Sequence, residues 1–188
     1  MFRPALVLLA AFTALLGVAY PAAVTGLAQL LFPRAANGSV VVERGAVAGS
    51  ALVGQPFSSP RYFWGRPSAT TPVAYDGRAS SGSDLGPSSP VLAERVAARV
   101  AALRAAGPDR DGPVPVDLVT ASGSGLDPDI SVAAALYQVE RVARARGLDP
   151  ARVRALVDRQ AQGRVLGVLG APRVNVLALN LSLDAVER

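Results

Sequence analysis

The sequence PALVLLAAFTALLGVAYPAAVTGLAQLLFP, residues 4–33, contains no charged side chain. A helix needs about 20 apolar residues to cross a hydrocarbon core about 30 Å thick. This run is longer than that, and Arg3 and Arg34 bracket it. Pro21 lies inside the run, where a spanning helix tolerates a kink if neighbouring groups satisfy the freed carbonyl. The stretch therefore predicts a single transmembrane helix.

This helix divides the chain into three parts: an N-terminal flank at residues 1–3, a membrane anchor at residues 4–33 and a soluble domain at residues 34–188. The alternative is a cleaved signal peptide ahead of a secreted binding module. A signal peptide has an apolar core of about 7–15 residues and a cleavage site of A-x-A type. The run is too long for that, and it lacks a convincing cleavage motif. Small side chains along it favour close contact with another helix in the bilayer.

The composition excludes several kinds of enzyme. The chain of 188 residues has no cysteine and no histidine, and all 19 basic residues are arginine. Disulfides, thiolate or histidine catalysis, Cys- or His-based zinc sites and lysine-dependent phosphate loops are therefore excluded. The net charge is +5. Because the arginines are spread over helices that also carry acidic residues, we expect neither a nucleic-acid partner nor a metal site.

The remaining pattern predicts an α+β soluble domain, with a small sheet covered by about three helices. The predicted helices begin near Ser89-Pro90, Ser131 and Asp149-Pro150 and end near Ala106, Gly147 and Gly163. The predicted strands are Val40–Glu43, Ala48–Val53, Pro113–Thr120 and the alternating tail RVNVLALNLSL from Arg173. A terminal helix from about Asn180 is the alternative for the tail.

Two loops carry the residues that could perform chemistry. Residues 54–90 are rich in Gly, Pro and Ser but contain a cluster of aromatic side chains, which predicts an ordered loop that packs or meets a partner. Residues 122–128 follow a predicted strand and precede a helix, where glycines and a helix N-terminus could bind a phosphate. A tight turn with a helix cap is the favoured interpretation. Asp117 and Asp127 flank this loop, and an anchored hydrolase that uses this carboxylate pair is the alternative function.

Several short stretches follow one another along the chain: GSALVGQ at 49–55, YF at 62–63, RPSA at 66–69, SGSDLGPS at 81–88, VPVDLVTASGSGLDP at 114–128, QV and RVA at 138–143, and VNVL with LN at 174–180. Taken in this order, they resemble the C subunit of the bacterial and archaeal Kdp potassium-transporting P-type ATPase. Each motif alone is weak, but many occur in the same order over nearly the full length. The chain departs from the family pattern in two places. In the first Gly/Ser loop, Ser83 and Asp84 stand where the family usually has a glycine and an asparagine. Asp129 stands where the family commonly has histidine or asparagine.

The resemblance implies a non-catalytic accessory subunit of an ATP-driven, high-affinity potassium uptake complex. Its implied partners are a potassium-translocating subunit, a P-type ATPase subunit and a small membrane subunit. The C subunit is described as stabilising the assembly and as a catalytic chaperone that raises the ATP affinity of the ATPase subunit. No cofactor of its own is expected, and ATP would act through the ATPase subunit.

The resemblance also implies the membrane topology and the loops that contact partners or nucleotide. The chain would cross the inner membrane once, with a cytoplasmic N-terminus and the soluble domain outside. Charges near the span leave that orientation open. An external domain is hard to reconcile with direct ATP contact. The candidate loop residues are Gly54, Gln55, Tyr62, Phe63, Arg66, Ser81, Gly82, Ser83, Asp84, Ser122, Gly123, Ser124, Gly125 and Asp127.

Overall fold

The computed structural model describes residues 2–107 and 112–186 and forms two compact units that meet in sequence at Ser50 and Ala51. The first unit contains the apolar N-terminal helix and a β-hairpin. The second contains four helices and a short two-stranded sheet. The α+β class with one preceding apolar helix is therefore confirmed. The boundaries predicted at residues 3/4 and 33/34 stay predictions.

One continuous helical stretch, Phe2–Leu31, is long and apolar enough to cross a membrane, and its most apolar window is not buried. It consists of α1 (Phe2–Ala14), a π-helical turn (Leu15–Ala19) and α2 (Tyr20–Leu31). The π turn ends two residues before Pro21, whose ring displaces the carbonyl one turn earlier and whose nitrogen cannot donate. The irregular turn therefore lies where the sequence predicts a kink.

A short helix and a hairpin complete the first unit. Helix α3 (Pro33–Ala36) is followed by β1 (Val40–Glu43) and β2 (Ala46–Ser50), which pair antiparallel with a bulge between Val41 and Val42. The first strand is confirmed. The second strand begins at Ala46, earlier than predicted, because Arg44 and Gly45 both adopt positive φ and form a tight two-residue turn. It ends at Ser50, before the predicted end at Val53.

The second unit is built around helices whose ends follow their capping residues. The helices are α4 (Pro90–Ala106), α5 (Val132–Arg146), α6 (Pro150–Gln160) and α7 (Val176–Val186). The Ser131 hydroxyl accepts from the Ala134 N–H, the Asp149 carboxylate accepts from the Ala151 N–H, and Gly147 ends α5 at φ 66°. Helices α5 and α6 are confirmed with these signals. Helix α4 is confirmed as well, with Pro90 as its first residue, but the Ser89 side chain makes no capping hydrogen bond.

The strand predicted at Pro113–Thr120 is wrong, because this segment contains a 3₁₀ turn at Val116–Leu118. Its prolines cannot donate to a sheet ladder. The observed sheet instead pairs β3 (Asp129–Ser131) with β4 (Arg173–Asn175) in antiparallel register. The long strand predicted for the tail is also wrong. Only three residues are extended before α7 begins, four residues ahead of the helix start considered at Asn180.

The core of the second unit lies where α5, α6 and α7 meet the aromatic residues of loop 54–90. Its fully buried side chains include Phe63, Leu118, Ile130, Val142, Val153, Val157, Val174, Leu179 and Leu183. Leucines in the tail contribute to this core from one side of α7. Loop 54–90 was predicted to be ordered. This prediction is confirmed for Phe63 and Trp64, which are both buried.

Candidate functional site

Two side-chain amides, one on α5 and one on α7, hold residues 62–64, which we call the aromatic segment. The Asn180 amide accepts from the Phe63 N–H at 2.8 Å and donates to the Phe63 carbonyl at 3.1 Å. The Gln138 amide does the same for Trp64, at 2.8 and 3.1 Å. All four contacts are buried. We call Gln138 and Asn180 the amide clamp, because they replace the strand neighbours that this extended segment lacks.

Two arginines enclose the Trp64 indole. The guanidinium carbon of Arg141 lies 4.2 Å from the ring centroid, and that of Arg99 lies 5.3 Å from it. Arg141 also donates to the Pro60 carbonyl at 2.8 Å and to the Gln138 side-chain oxygen at 2.5 Å. Burial, with the charge of Arg99 as a second cause, lowers the pKa of Arg141 to about 10. The hydrogen bonds and ring contacts offset part of the free energy lost when this charge leaves water.

Tyr62 connects the same segment to the last helix. Its hydroxyl donates to the Asp184 carboxylate at 3.2 Å, and Arg146 donates to that carboxylate at 2.7 Å. The Arg146 guanidinium carbon lies 4.7 Å from the Tyr62 ring centroid. Tyr62 and Phe63 are two of the candidate site residues. Their contacts pack the loop against helices α5 and α7.

The two Gly/Ser loops, residues 81–85 and 122–128, meet each other across the domain. The Ser81 N–H and the Ser80 hydroxyl both donate to the Ser124 carbonyl at 3.0 Å. A Cβ on Gly82 would lie 3.0 Å from the Gly123 carbonyl oxygen. We call these two loops the loop cluster. Its hydrogen bonds join one loop to the other. Backbone groups that take part in these bonds are not available to bind a phosphate, which the sequence had suggested for residues 122–128.

The segment from Arg66 to Tyr75 fastens the loop cluster. Arg66 donates to the Asp127 carboxylate at 3.2 Å and to the Ala121 carbonyl at 3.3 Å. The Ser68 hydroxyl donates to the Gly125 carbonyl at 2.7 Å and accepts from the Tyr75 N–H at 2.9 Å. Thus Arg66 and Asp127, predicted as separate candidates, form one ion pair.

Gly54 is the point where a third segment touches this arrangement. Its N–H donates to the Leu126 carbonyl at 2.9 Å. A Cβ at this position would lie 2.4 Å from a Tyr75 ring carbon and 2.6 Å from the Asp127 carbonyl oxygen. Glycine is therefore needed here for close approach of the backbone. The neighbouring Gln55 has a buried amide nitrogen that has no hydrogen-bond partner in the described part of the chain.

Ser83 and Asp84 lie at the other end of the loop cluster. Asp84 adopts φ 52°, a left-handed conformation that Asn and Asp tolerate better than most residues. Ser83 lines an apolar pocket of about 560 Å³ between α4 and the loops, together with Leu85, Leu92, Arg95 and Val119. An acidic residue at position 84 therefore satisfies the same backbone requirement as an asparagine.

The hydroxyl of Tyr75 gives the loop cluster a predicted pH dependence. It donates to the Arg66 carbonyl, and burial is the main cause that raises its pKa above the usual value of about 10. A raised pKa in the folded state stabilises the fold below pH 10, and this stabilisation is lost as the pH rises through the folded-state pKa.

We therefore expect Tyr75→Phe to lower the free energy of unfolding by about 1 kcal/mol at pH 8 and to flatten its decline above pH 10. Denaturant titrations of the full chain in detergent, followed by fluorescence of its one tryptophan, measure this. Parallel declines of the two proteins above pH 10 would contradict the assignment.

Three carboxylates line a second pocket of about 530 Å³: Asp117, Asp127 and Asp129. Asp117 accepts from the Ser131 N–H at 2.7 Å and from its hydroxyl at 3.2 Å. Asp127 binds Arg66, and its other oxygen accepts from the Asp129 N–H at 3.0 Å. The carboxylates of the proposed hydrolase pair, Asp117 and Asp127, thus share a pocket, but both hold turns and loops, which favours structural roles.

Asp129 forms an ion pair with Arg173 at 2.9 Å and accepts from the Asn175 amide at 3.1 Å. The arginine side chain is 41% exposed and the aspartate 23% exposed. Because solvent screens such a pair, we expect Asp129→Asn to change the free energy of unfolding by only about 0.5 kcal/mol. Thermal unfolding of the two proteins at low and high salt checks this, and a salt-independent loss above about 2 kcal/mol would be inconsistent with a screened pair.

The comparisons with known proteins concern the sequence as a whole. The model of the family described as KdpC, the c chain of K⁺-transporting ATPase, matches residues 2–185. The chain belongs to the KdpC family. A potassium-transporting ATPase KdpC subunit of Sorangium cellulosum is 65% identical over 98% of this chain and 97% of that protein. The corresponding subunits of Methylibium petroleiphilum and Paraburkholderia xenovorans are 61% and 57% identical over 98% and 100% of this chain and 96% and 98% of those proteins.

Sequence reasoning missed the amide clamp, although Gln138 and Asn180 lie in stretches that carry the KdpC resemblance. A usable signal was present. Gln138 lies one turn from Ala134 and Val142 on the buried face of α5, and Asn180 adjoins Leu179 and Leu183 on α7. A polar side chain on a buried face needs hydrogen-bond partners, so its presence there indicates a structural hydrogen-bond network.

Proposed function

We propose that this chain is a non-catalytic subunit of an ATP-driven potassium uptake complex that stabilises the assembly and raises the ATP affinity of the ATPase subunit. The observation that carries this proposal is the family match over residues 2–185. The engagement of Asp117 and Asp127 in turns and loops supports a role without catalysis by this chain.

The proposed partners are the potassium-translocating subunit, the P-type ATPase subunit and a small membrane subunit. The apolar helix Phe2–Leu31 would anchor the chain in the inner membrane beside them. We place its N-terminus in the cytoplasm and residues 34–188 outside. In this topology the loop cluster contacts partner subunits, and ATP affinity changes through the assembly without direct nucleotide contact.

Two measurements test the proposal in the intact complex. ATPase activity as a function of ATP concentration should show a higher apparent KM when this chain is omitted, and restoring the chain should reverse the change. Affinity purification through a tag on this chain should recover the partner subunits. An unchanged KM contradicts the chaperone role, and failure to recover partners contradicts the subunit role.

A topology reporter fused to the C-terminus tests the orientation. An alkaline phosphatase fusion should be active, because that enzyme matures outside the cytoplasm, whereas a green fluorescent protein fusion should stay dark. The reverse pattern would place the loop cluster on the ATP side. Direct nucleotide contact would then become the favoured interpretation of the Gly/Ser loops.

A further inference from the structure

An exposed apolar hairpin projects from the second unit between α6 and β4. Four aliphatic side chains at its end are open to solvent: Val165 is 55% exposed, Leu166 87%, Val168 71% and Leu169 59%. We call these four residues the apolar tip. Single exposed aliphatic residues are ordinary on protein surfaces, but four within five positions form a contiguous patch that marks an interaction site.

The hairpin is held in one conformation by its own backbone. Gln162 and Arg173 exchange N–H···O bonds of 2.8 and 3.0 Å, and Val165 and Leu169 exchange bonds of 2.9 and 3.0 Å. Gly167, at φ 77°, supplies the turn conformation that side chains disfavour. The apolar tip is therefore displayed on a preorganised turn, which lowers the entropy lost when a partner binds.

A positive charge at Arg164 borders the apolar tip. The segment from Arg159 to Arg173 has no acidic residue, although Arg173 is paired with Asp129. Arg164 lies directly before the tip and is exposed. Apolar residues with arginine at the rim form a common pattern of protein interfaces.

The chemistry of this surface favours a protein over a lipid bilayer. Side chains that insert at a bilayer surface typically include Trp or Tyr, and the apolar tip has no aromatic residue. Electrostatic binding to anionic lipid typically uses four to eight clustered basic residues. The segment has three, and Arg173 is paired with Asp129.

We propose that the apolar tip inserts into an apolar depression on another subunit of the transporter, whose rim carries carboxylates that meet Arg164. This proposal rests on the proposed function, because it requires the chain to be a member of that complex. It assigns the docking contact to residues 164–169, which lie outside the Gly/Ser loops and the aromatic segment.

Photo-crosslinking in the intact complex tests which occupant is present. Leu166→p-benzoylphenylalanine places a crosslinker at the most exposed position of the tip, and mass spectrometry identifies the product. We expect a crosslink to another subunit. A crosslink only to lipid, a crosslink only to a second copy of this chain, or no crosslink while the complex is intact would overturn the proposal.

Substitutions provide an independent readout. Leu166→Glu and Arg164→Glu should each lower the partner protein recovered with this chain at least tenfold. Val91→Glu is the matched control, because Val91 is 43% exposed on α4, away from the hairpin in sequence. It should leave recovery unchanged. Equal recovery for all three variants would overturn the proposal. If the unsubstituted chain recovers no partner, the proposed function itself fails.

Discussion

Replacing Gln138 by leucine should lower the free energy of unfolding by about 3–5 kcal/mol. The substitution removes the acceptor of the Trp64 N–H, the donor to the Trp64 carbonyl and an acceptor of the Arg141 guanidinium. Each group would stay buried without that partner, and each buried polar group left in this way costs about 1–3 kcal/mol. Leucine restores the volume but none of these contacts.

The loss should extend beyond the clamp, because the chain continues from Trp64 into Arg66 and Ser68, which hold the loop cluster. Denaturant unfolding of the full chain in detergent, followed by circular dichroism, measures the stability. The amount of partner subunit that purifies with the variant measures the effect on assembly, which we expect to fall in parallel.

Gln160→Leu is the matched control for this prediction. Gln160 also lies on a helix, but its amide makes a half-buried contact of 2.8 Å with the Ser182 hydroxyl. Water can replace that partner, so we expect a loss of less than about 1 kcal/mol. If both variants lose the same small amount, the amide clamp does not stabilise the aromatic segment as the geometry indicates.

Local signals in the sequence were sufficient for much of the helical framework. The uncharged run predicted the N-terminal helix, and Ser131, Gly147 and Asp149 predicted the ends of α5 and α6, because capping depends on residues within one turn. The tail failed for a physical reason. Leu177, Leu179, Leu181 and Leu183 alternate as in a strand, but Val176, Leu179, Asn180 and Leu183 also form one face of a helix. Packing against the core favours the helix, and a short window of sequence cannot contain that information.

The candidate site was predicted as a set of motifs but not as an arrangement. The Gly/Ser loops were recognisable from composition, whereas their mutual hydrogen bonds join residues about 40 positions apart, as between Ser80 and Ser124. The amide clamp spans 74 positions from Trp64 to Gln138 and 117 from Phe63 to Asn180. No periodicity or spacing rule relates residues at such distances, so pairing became visible only in three dimensions.

Replacing Gly125 by alanine should have the second large effect, a loss of about 3 kcal/mol in the free energy of unfolding. Gly125 adopts φ 68°, where a side chain costs about 1–2 kcal/mol. An added Cβ would also lie 2.6 Å from the Ser81 carbonyl oxygen and 2.7 Å from the Thr70 methyl carbon. Because the Ser81 contact is with backbone, the alanine variant can form only if the two Gly/Ser loops move apart.

Gly123→Ala isolates this effect, because it makes the same chemical change two residues away. A Cβ on Gly123 would meet no heavy atom within 4 Å, and its φ lies outside the strained range. We expect its stability to stay within about 0.5 kcal/mol of the unsubstituted chain. Unfolding of both variants and their recovery with partner subunits should therefore separate clearly. Equal behaviour would mean that the contact between the two loops contributes neither to the fold nor to assembly, and the loop cluster could not then be the element through which this subunit acts.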